Sequence, residues 1–509
     1  MKKACPLSRC DAPFRRPGIA LLAVLAAAAL APCAGAQSVN ITSSPNVVGS
    51  GARALGMGGA FVAVADDATA ASWNPGGLTQ LERPEFSLVY DFKWDGEEFS
   101  SDRHPEMDEG HSLSLSGLNY MSAVYPLPFA PGGRNLVVSL SLQRKFDFDR
   151  RLKFRYNGIV PAGGAAALFS SLVDYRQEGQ LSSLSPAVGF EITEELSLGL
   201  VVNLWNEDII PNNEWKSVSE QRVLSRILGG FATNTLSRTI ERHKNFHGIN
   251  YTAGALYKPD DRWSFGLVYH TRFTAGVDYE QSQEVRVGGV RGMLRTGSRH
   301  KEITFPDAVG AGAAYRFPND KLTLSFDVTR RSWDQFVIHD KRNRNPRLRK
   351  VWGVSGLDTD AHDMDAVWTV RAGAEYVFVD ARKPVQNILP SVRAGVFYDP
   401  EPASGRRDGF LGLKRGDGSP DNYYGVTLGL GLLLYDRVNL DLAYVYRWGD
   451  DNRVDTFGFS GTRADVDQSR RLTRRSAPMG ALTGPGPAVR RGTRVDHLDH
   501  AVVDRRGNG

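Results

Sequence analysis

The sequence predicts an all-β protein, a transmembrane antiparallel β-barrel of about 14 strands, of which 13 are readable, with an N-terminal plug segment inside. Three observations point to it. Apolar and polar residues alternate over stretches of about ten residues or more, long enough to cross a bilayer at a tilt. The links between those stretches are alternately short and long. After the first 36 residues no run is apolar for long enough to form a membrane helix.

The N-terminus reads as a secretory leader. Lys2, Lys3, Arg9, Arg15 and Arg16 precede the apolar run 19–31, and Ala34-Gly35-Ala36 supplies a small-residue cleavage site, so the mature chain is expected to begin at Gln37. A lipoprotein reading at Cys33 is weaker, because Pro32 stands where a small residue is wanted. Cys5, Cys10 and Cys33 all fall in residues 1–36, so disulfides and thiol chemistry are not expected in the mature protein. The leader also distorts the charge. Of the net +5, it carries +4 and the residues from Arg463 carry +5, which leaves −4 between them. The basic balance therefore does not argue for a nucleic-acid partner.

Residues 37–84 form the expected plug, or hatch. The stretch 49–78 is rich in small residues, with Gly56, Gly58 and Gly59 around Met57, then Phe61, the pair Asp66-Asp67, and Trp73-Asn74-Pro75. It has neither the period of two of a strand nor the length of a membrane helix. A glycine-rich, tightly turned segment ahead of a closed sheet suits the sheet's interior. Gly56–Gly59 would permit small backbone shifts, and Asn74-Pro75 would pin the far end to the wall.

The barrel is expected over 85–462. Strands are expected near 85–94, 112–125, 134–148, 180–190, 196–205, 246–257, 262–273, 302–317, 321–333, 363–378, 388–398, 422–434 and 437–448. In the first, Phe86, Leu88, Tyr90, Phe92 and Trp94 share one face; in the last, Val438, Leu440, Leu442, Tyr444, Tyr446 and Trp448 do. Aromatics collect at strand ends, where membrane barrels keep their girdles. A soluble sandwich has no reason to sort short and long links to opposite sides.

The longest loop, 206–245, shows a helical period at Val223, Leu224, Ile227, Leu228 and Phe231. A short amphipathic helix is expected there, either packed on the rim or offering an outer landing site for an amphipathic ligand. Prolines interrupt three strands, at Ser185-Pro186, Phe305-Pro306 and Leu389-Pro390. At Phe305-Pro306-Asp307 the alternation falters as well. A bulge, an interfacial position or a gap in the wall through which a ligand leaves sideways all fit that pattern.

The residues Gly56-Met57-Gly58-Gly59-Ala60, Ala65-Asp66-Asp67-Ala68 and Asn74-Pro75 resemble the plug of the FadL/TodX family of outer-membrane transporters for long-chain fatty acids and hydrocarbons. Phe305-Pro306-Asp307 through Gly312, Tyr315-Arg316 to Leu324 and Ser332–Phe336 resemble a later strand pair of the same family. The resemblance spans roughly residues 43–448. It implies a fourteen-stranded barrel with a hatch that passes hydrophobic molecules inward by diffusion, and sideways into the membrane in characterised members. The chain departs from the family in Gly76 after Asn-Pro, where alanine is usual, and more seriously at its end. One descending strand should follow residues 449–462, and Asp465–Gln468 look like its start. Residues 463–509 read instead as a basic, disordered tail without apolar alternation, of the kind a frameshift would leave. Arginines on a lipid face there would cost about 2–4 kcal/mol each near the midplane.

No enzyme is expected. The plug glycines lack the Lys-Ser/Thr of a phosphate loop and the Rossmann spacing. Asp66-Asp67 suits turns and caps better than a cation, and His497 and His500 lack the further ligands of a zinc site. His270 faces the interior by pattern, with no neighbour to make it a hydrolase histidine. No cofactor or metal is called for. The expected partners are a hydrophobic small molecule such as a long-chain fatty acid, outer-membrane lipid and the barrel-assembly machinery, and the expected place is the outer membrane of a Gram-negative bacterium. A secretion or surface-assembly barrel, favoured by large ordered outer loops and a polar lumen, is the alternative; a non-specific porin is the third reading.

Overall fold

A computed structural model describes residues 46–47, 49–101, 110–128, 131–162, 165–210, 213–227, 232–318, 320–352, 365–380, 386–400, 423–435, 437–449 and 489–506. The expected leader, Leu228, Phe231 and the expected strand start at Asp465–Gln468 lie outside them. The strands, in chain order, are β1 (Asn46–Val47), β2 (Glu85–Ser101), β3 (Gly110–Pro126), β4 (Leu136–Asp147), β5 (Arg150–Ala162), β6 (Ala165–Glu191), β7 (Leu196–Asn206), β8 (Trp215–Ile227), β9 (Ala232–Tyr257) and β10 (Trp263–His270). They continue as β11 (Phe273–Val287), β12 (Val290–Phe305), β13 (Ala308–Arg316), β14 (Leu322–Arg331), β15 (Val337–His339), β16 (Lys350–Trp352), β17 (Val367–Val377), β18 (Ile388–Tyr398), β19 (Tyr423–Leu434), β20 (Val438–Gly449) and β21 (Val489–Arg506).

Fourteen of these close on themselves. Antiparallel ladders run β2–β3–β4–β6–β7–β9–β10–β13–β14–β17–β18–β19–β20–β21 and return to β2. Closure leaves no sheet edge, as a wall surrounded by lipid requires. The alternation read from the sequence sets which face is which: Phe86, Leu88, Tyr90, Phe92 and Trp94 are exposed on the outer face, while Val89, Asp91 and Lys93 are buried inside. Each of the thirteen expected strands has a counterpart, and the one expected over 302–317 is divided at Pro306 into β12 and β13.

The fourteenth strand corrects the reading of the tail. Val489–Arg506, expected to be disordered, pairs with β2 on one side and β20 on the other. The physical reason is that a ladder is made by backbone groups. The two facing edges present rows of open N–H and C=O groups, and a strand without apolar alternation still satisfies them.

A second departure lies above the barrel. The long outer links, expected as loops, fold into a sheet of their own, β5–β6–β8–β9–β11–β12–β15–β16. β6 and β9 belong to both parts, and the sheet branches at Gly179 and near Asn245, both at positive φ. This extension also overturns the expected amphipathic helix. Val223, Leu224 and Ile227 lie in β8, bonded between β6 and β9. Three apolar positions at helical spacing were outweighed by the alternation around them, Arg222, Leu224 and Arg226 exposed against the more sheltered Gln221, Val223 and Ser225.

Candidate functional site

The barrel interior holds residues 49–81. Two short helices, α1 (Ala52–Gly56) and α2 (Ala70–Trp73), and a 3-10 turn at Pro75–Gln80 are joined by tight turns. None is long enough to be stable alone. Their stability comes from burial: Met57, Phe61, Ala65, Ala70 and Leu78 form one core with Val124, Val137, Val201 and Ala314 of the wall.

The wall admits this backbone through glycines on its inner face. A Cβ at Gly199 would overlap Pro75 and Gly76, one at Gly254 Asn74 and Pro75, one at Gly373 Met57, and one at Gly395 Met57 and Gly58. Gly58 itself sits at φ 70 against the backbone of Ala372 and Val396, a conformation and a spacing that suit glycine.

Inward polar side chains meet the segment's free backbone groups. Asp327 accepts from the amides of Phe61 (2.6 Å) and Val62 (2.8 Å), and Ser325 donates to Ala60 O (2.7 Å). Thr427 accepts from Gly58 N (2.9 Å) and donates to Gly56 O (2.8 Å). Asn74 Nδ2 donates to Val62 O at 2.8 Å and to Ala255 O of β9 at 2.9 Å. Tyr120 and Ser122 both donate to Ala68 O, at 3.0 and 2.8 Å.

One charged network crosses from segment to wall. Arg53 bonds Asp66 and makes a two-pronged contact with Glu375, Nε to Oε1 at 2.9 Å and Nη2 to Oε2 at 2.8 Å. Glu375 also accepts from Arg393 Nε at 2.7 Å, and Arg393 reaches Asp441. Asp67 accepts from the Thr69 amide (2.8 Å) and hydroxyl (2.6 Å), a local turn contact.

Above the segment lies a cavity of about 130 Å³. Trp73, Val62, Ser50 and Ser72 of the segment form its floor. Its roof is aromatic: Phe146 and Trp205 are 6.0 Å apart, Trp205 and Phe273 5.4 Å, Phe273 and Phe305 5.1 Å, Phe146 and Phe305 5.1 Å. The rings continue outward through Phe246 and Trp215 to His243, which stacks on Trp215 at 4.3 Å. Burial, helped by nearby Lys301, pushes the His243 pKa well below its ordinary value, so this ring is neutral too. The cavity's sides are different. Lys145, Arg331, Arg371 and His270 line it, and among the described residues no carboxylate does. Among the described residues Lys145, Arg331 and Arg371 make no hydrogen bond or ion pair. Unneutralised cations beside an aromatic roof can hold an amphipathic anion, charge to the sides and apolar part to the rings.

The residues singled out from the sequence divide into groups. Gly56 to Pro75 lie inside the wall as described, with Trp73 on the cavity floor, its Nε1 donating to Ser50 O at 2.9 Å and its ring 6.1 Å from Phe61. Val223, Leu224 and Ile227 lie in the extension, away from the cavity lining. Phe305 is buried in the roof and Pro306 lines the cavity. Asp307 marks the branch where β12 leaves the barrel, and it is bonded to Ser332 and Gln335 of the next turn.

Sequence reasoning missed Lys145 and Phe146. Unbroken alternation through the strand expected over 134–148 would put Phe146 on the lipid face with Leu140 and Leu142, but the register shifts between Arg144 and Phe146 and turns it inward. It also missed the wall glycines, which were legible as isolated glycines within strands, a mark of close backbone approach.

Residues 177–477 match the model of a family described as outer membrane protein transport protein (OMPP1/FadL/TodX). No curated protein matches the chain. Among solved structures, the fold is similar to that of a Pseudomonas aeruginosa FadL homologue, with 14% identity and a TM-score of 0.55 over 91% of this chain and 100% of that one. It is also similar to the P. putida toluene transporter TodX, with 13% identity and a TM-score of 0.51 over 91% and 100%. At these identities the likeness speaks to the fold alone.

Proposed function

Because the chain belongs to the OMPP1/FadL/TodX family of outer membrane transport proteins, we propose that it takes up hydrophobic molecules bearing an anionic group, with long-chain fatty acids as the leading class, by passive diffusion. The observation that carries this reading is the cavity's pairing of an aromatic roof with three cations that make no ion pair among the described residues. A carboxylate between Lys145, Arg331 and Arg371 relieves their repulsion, and the ligand's apolar part lies under Phe146, Trp205, Phe273 and Phe305. A neutral monoaromatic is closer to the cavity in size, since benzene occupies an apolar cavity of about 150 Å³, but it leaves the cations unpaired. A long acyl chain exceeds the volume, so only its head end occupies this state of the site. Residues 49–81 act as the plug. The ligand leaves when the plug shifts, or sideways where the wall branches at Phe305-Pro306-Asp307. The leader 1–36 is removed on export.

The experiment is binding of palmitate and of toluene to the protein folded in detergent, followed by tryptophan fluorescence. Palmitate is expected to bind, and Lys145→Ala with Arg331→Ala to weaken it by about tenfold or more while leaving toluene unaffected. Equal loss of both ligands, or tight toluene binding with none for palmitate, rejects the anionic class. The ordered extension favours a second reading, in which the barrel holds a protein partner at the surface. The filled interior disfavours an open porin.

A further inference from the structure

The outward face of the extension carries more positive charge than its own acids neutralise. Cross-strand register places Arg151 opposite Arg176, Arg155 and Arg222 on either side of Leu172, and Glu220 opposite Arg238 on this one face. Near the rim the charges balance, since Arg242 bonds Glu214 at 2.7 Å and Lys244 bonds Glu280 at 2.6 Å. Farther out they do not. Beyond the row of Arg176 the acids of this face, among the described residues, are Asp174, Glu220 and Glu284. Each is already taken, by Arg176 at 2.9 Å, by Arg222 at 2.5 Å, and by Arg286 and Arg291 at 2.8 and 3.0 Å. Arg151, Arg155, Arg226 and Arg238 remain exposed, with no hydrogen bond or ion pair among the described residues. Like charges also stand directly opposite one another at Arg151 and Arg176, an arrangement that destabilises a sheet unless an anion lies between, as Glu284 does between Arg286 and Arg291.

We propose that this face binds lipopolysaccharide, the phosphorylated glycolipid of the outer leaflet, through its phosphate groups. The opposite face of the same strands is buried, at Phe154, Ser171, Val173, Tyr175 and Thr239, so this face is the one left open to the surroundings. Along β6 the unpaired arginines begin three residues past the branch at Gly179 and extend eleven residues past it. At about 3.3 Å per residue that is about 10 to 36 Å of strand beyond the branch, on the side of the glycolipid's sugar and phosphate groups rather than of its acyl chains. Guanidinium groups match phosphate oxygens two by two, and Leu172 and Leu236, between arginines in the same rows, offer apolar contact to sugar faces. Bound glycolipid would brace a sheet that otherwise stands alone above the membrane.

The test uses the full chain folded in detergent and two probes, rough lipopolysaccharide with its phosphates and the same material after phosphate removal. The expected result is a preference of about tenfold or more for the phosphorylated probe, falling as salt is raised. The variant Arg151→Gln, Arg155→Gln, Arg226→Gln, Arg238→Gln should lose that preference while keeping wild-type palmitate binding, which separates this surface from the transport site. Should the quadruple variant fail to fold, R151Q/R155Q and R226Q/R238Q carry the same test in halves. No preference in the wild type, an undiminished preference in the variants, or capture of an acidic protein in place of the glycolipid overturns the proposal.

Discussion

Arg53 is the residue on which the interior segment's charge balance turns. It faces Asp66 of its own segment and Glu375 of the wall, and Glu375 in turn is shared with buried Arg393. Removing one member of such a set leaves a buried charge unmatched, at a cost of about 3–5 kcal/mol in fully buried cases, less here because Arg53 keeps some solvent contact. Arg53→Ala should therefore loosen residues 49–81 without unfolding the barrel. Planar-bilayer recording is expected to show rare openings in the wild type and frequent ones in the variant. Glu375→Gln, which keeps the shape and one acceptor, should fall between the two. Equal conductance in all three would mean that the network does not hold the segment. Asp67, the other half of the acidic pair, is engaged with Thr69, and its Asn variant should behave as wild type in the same recording.

At the scale of elements, the fit between segment and wall rests on glycine. Strands β7, β9, β17 and β18 each place a glycine where the segment's backbone touches the sheet. A side chain at Gly395 would push into Met57 and Gly58, so Gly395→Val should displace the first half of the segment. The check is limited proteolysis of the folded protein. Cleavage within residues 49–62 should be faster by at least about tenfold, the barrel remaining heat-modifiable on a gel. Unchanged cleavage would show that β18 can yield. The extension teaches a related lesson about elements. Ser, Gln and Arg between the apolar residues of β8 allowed either period to be read, and the open edges of β6 and β9 settled it in favour of a strand.

For the whole molecule the decisive event is closure. Among the described residues β21 is the one strand bonded to both β2 and β20, so without it each keeps an open edge toward lipid. A chain ending before Val489 is expected to lose the heat-modifiable form altogether. A truncated protein that folds normally would show that closure is made in some other way. The ladder is fourteen strands around, and the segment fills the interior before the cavity is reached. Any solute must then pass the aromatic roof, the cationic sides and the segment in turn.

The sequence by itself determined the barrel, the two faces of its strands, the side on which its long links lie and the segment destined for the interior. These are consequences of local pattern, a period of two, short turns and clustered glycine, which each stretch carries in its own residues. Tertiary structure alone decided the rest. Phe146 points inward because a register shift against β6 reverses the alternation, and no residue near it announces that shift. Lys145, Arg331 and Arg371 become one charged wall because strands distant in sequence are brought around a circle. Val489–Arg506 becomes a strand because two edges elsewhere need a partner. Local pattern fixes what a strand is; only closure fixes which side chains from different strands share a cavity.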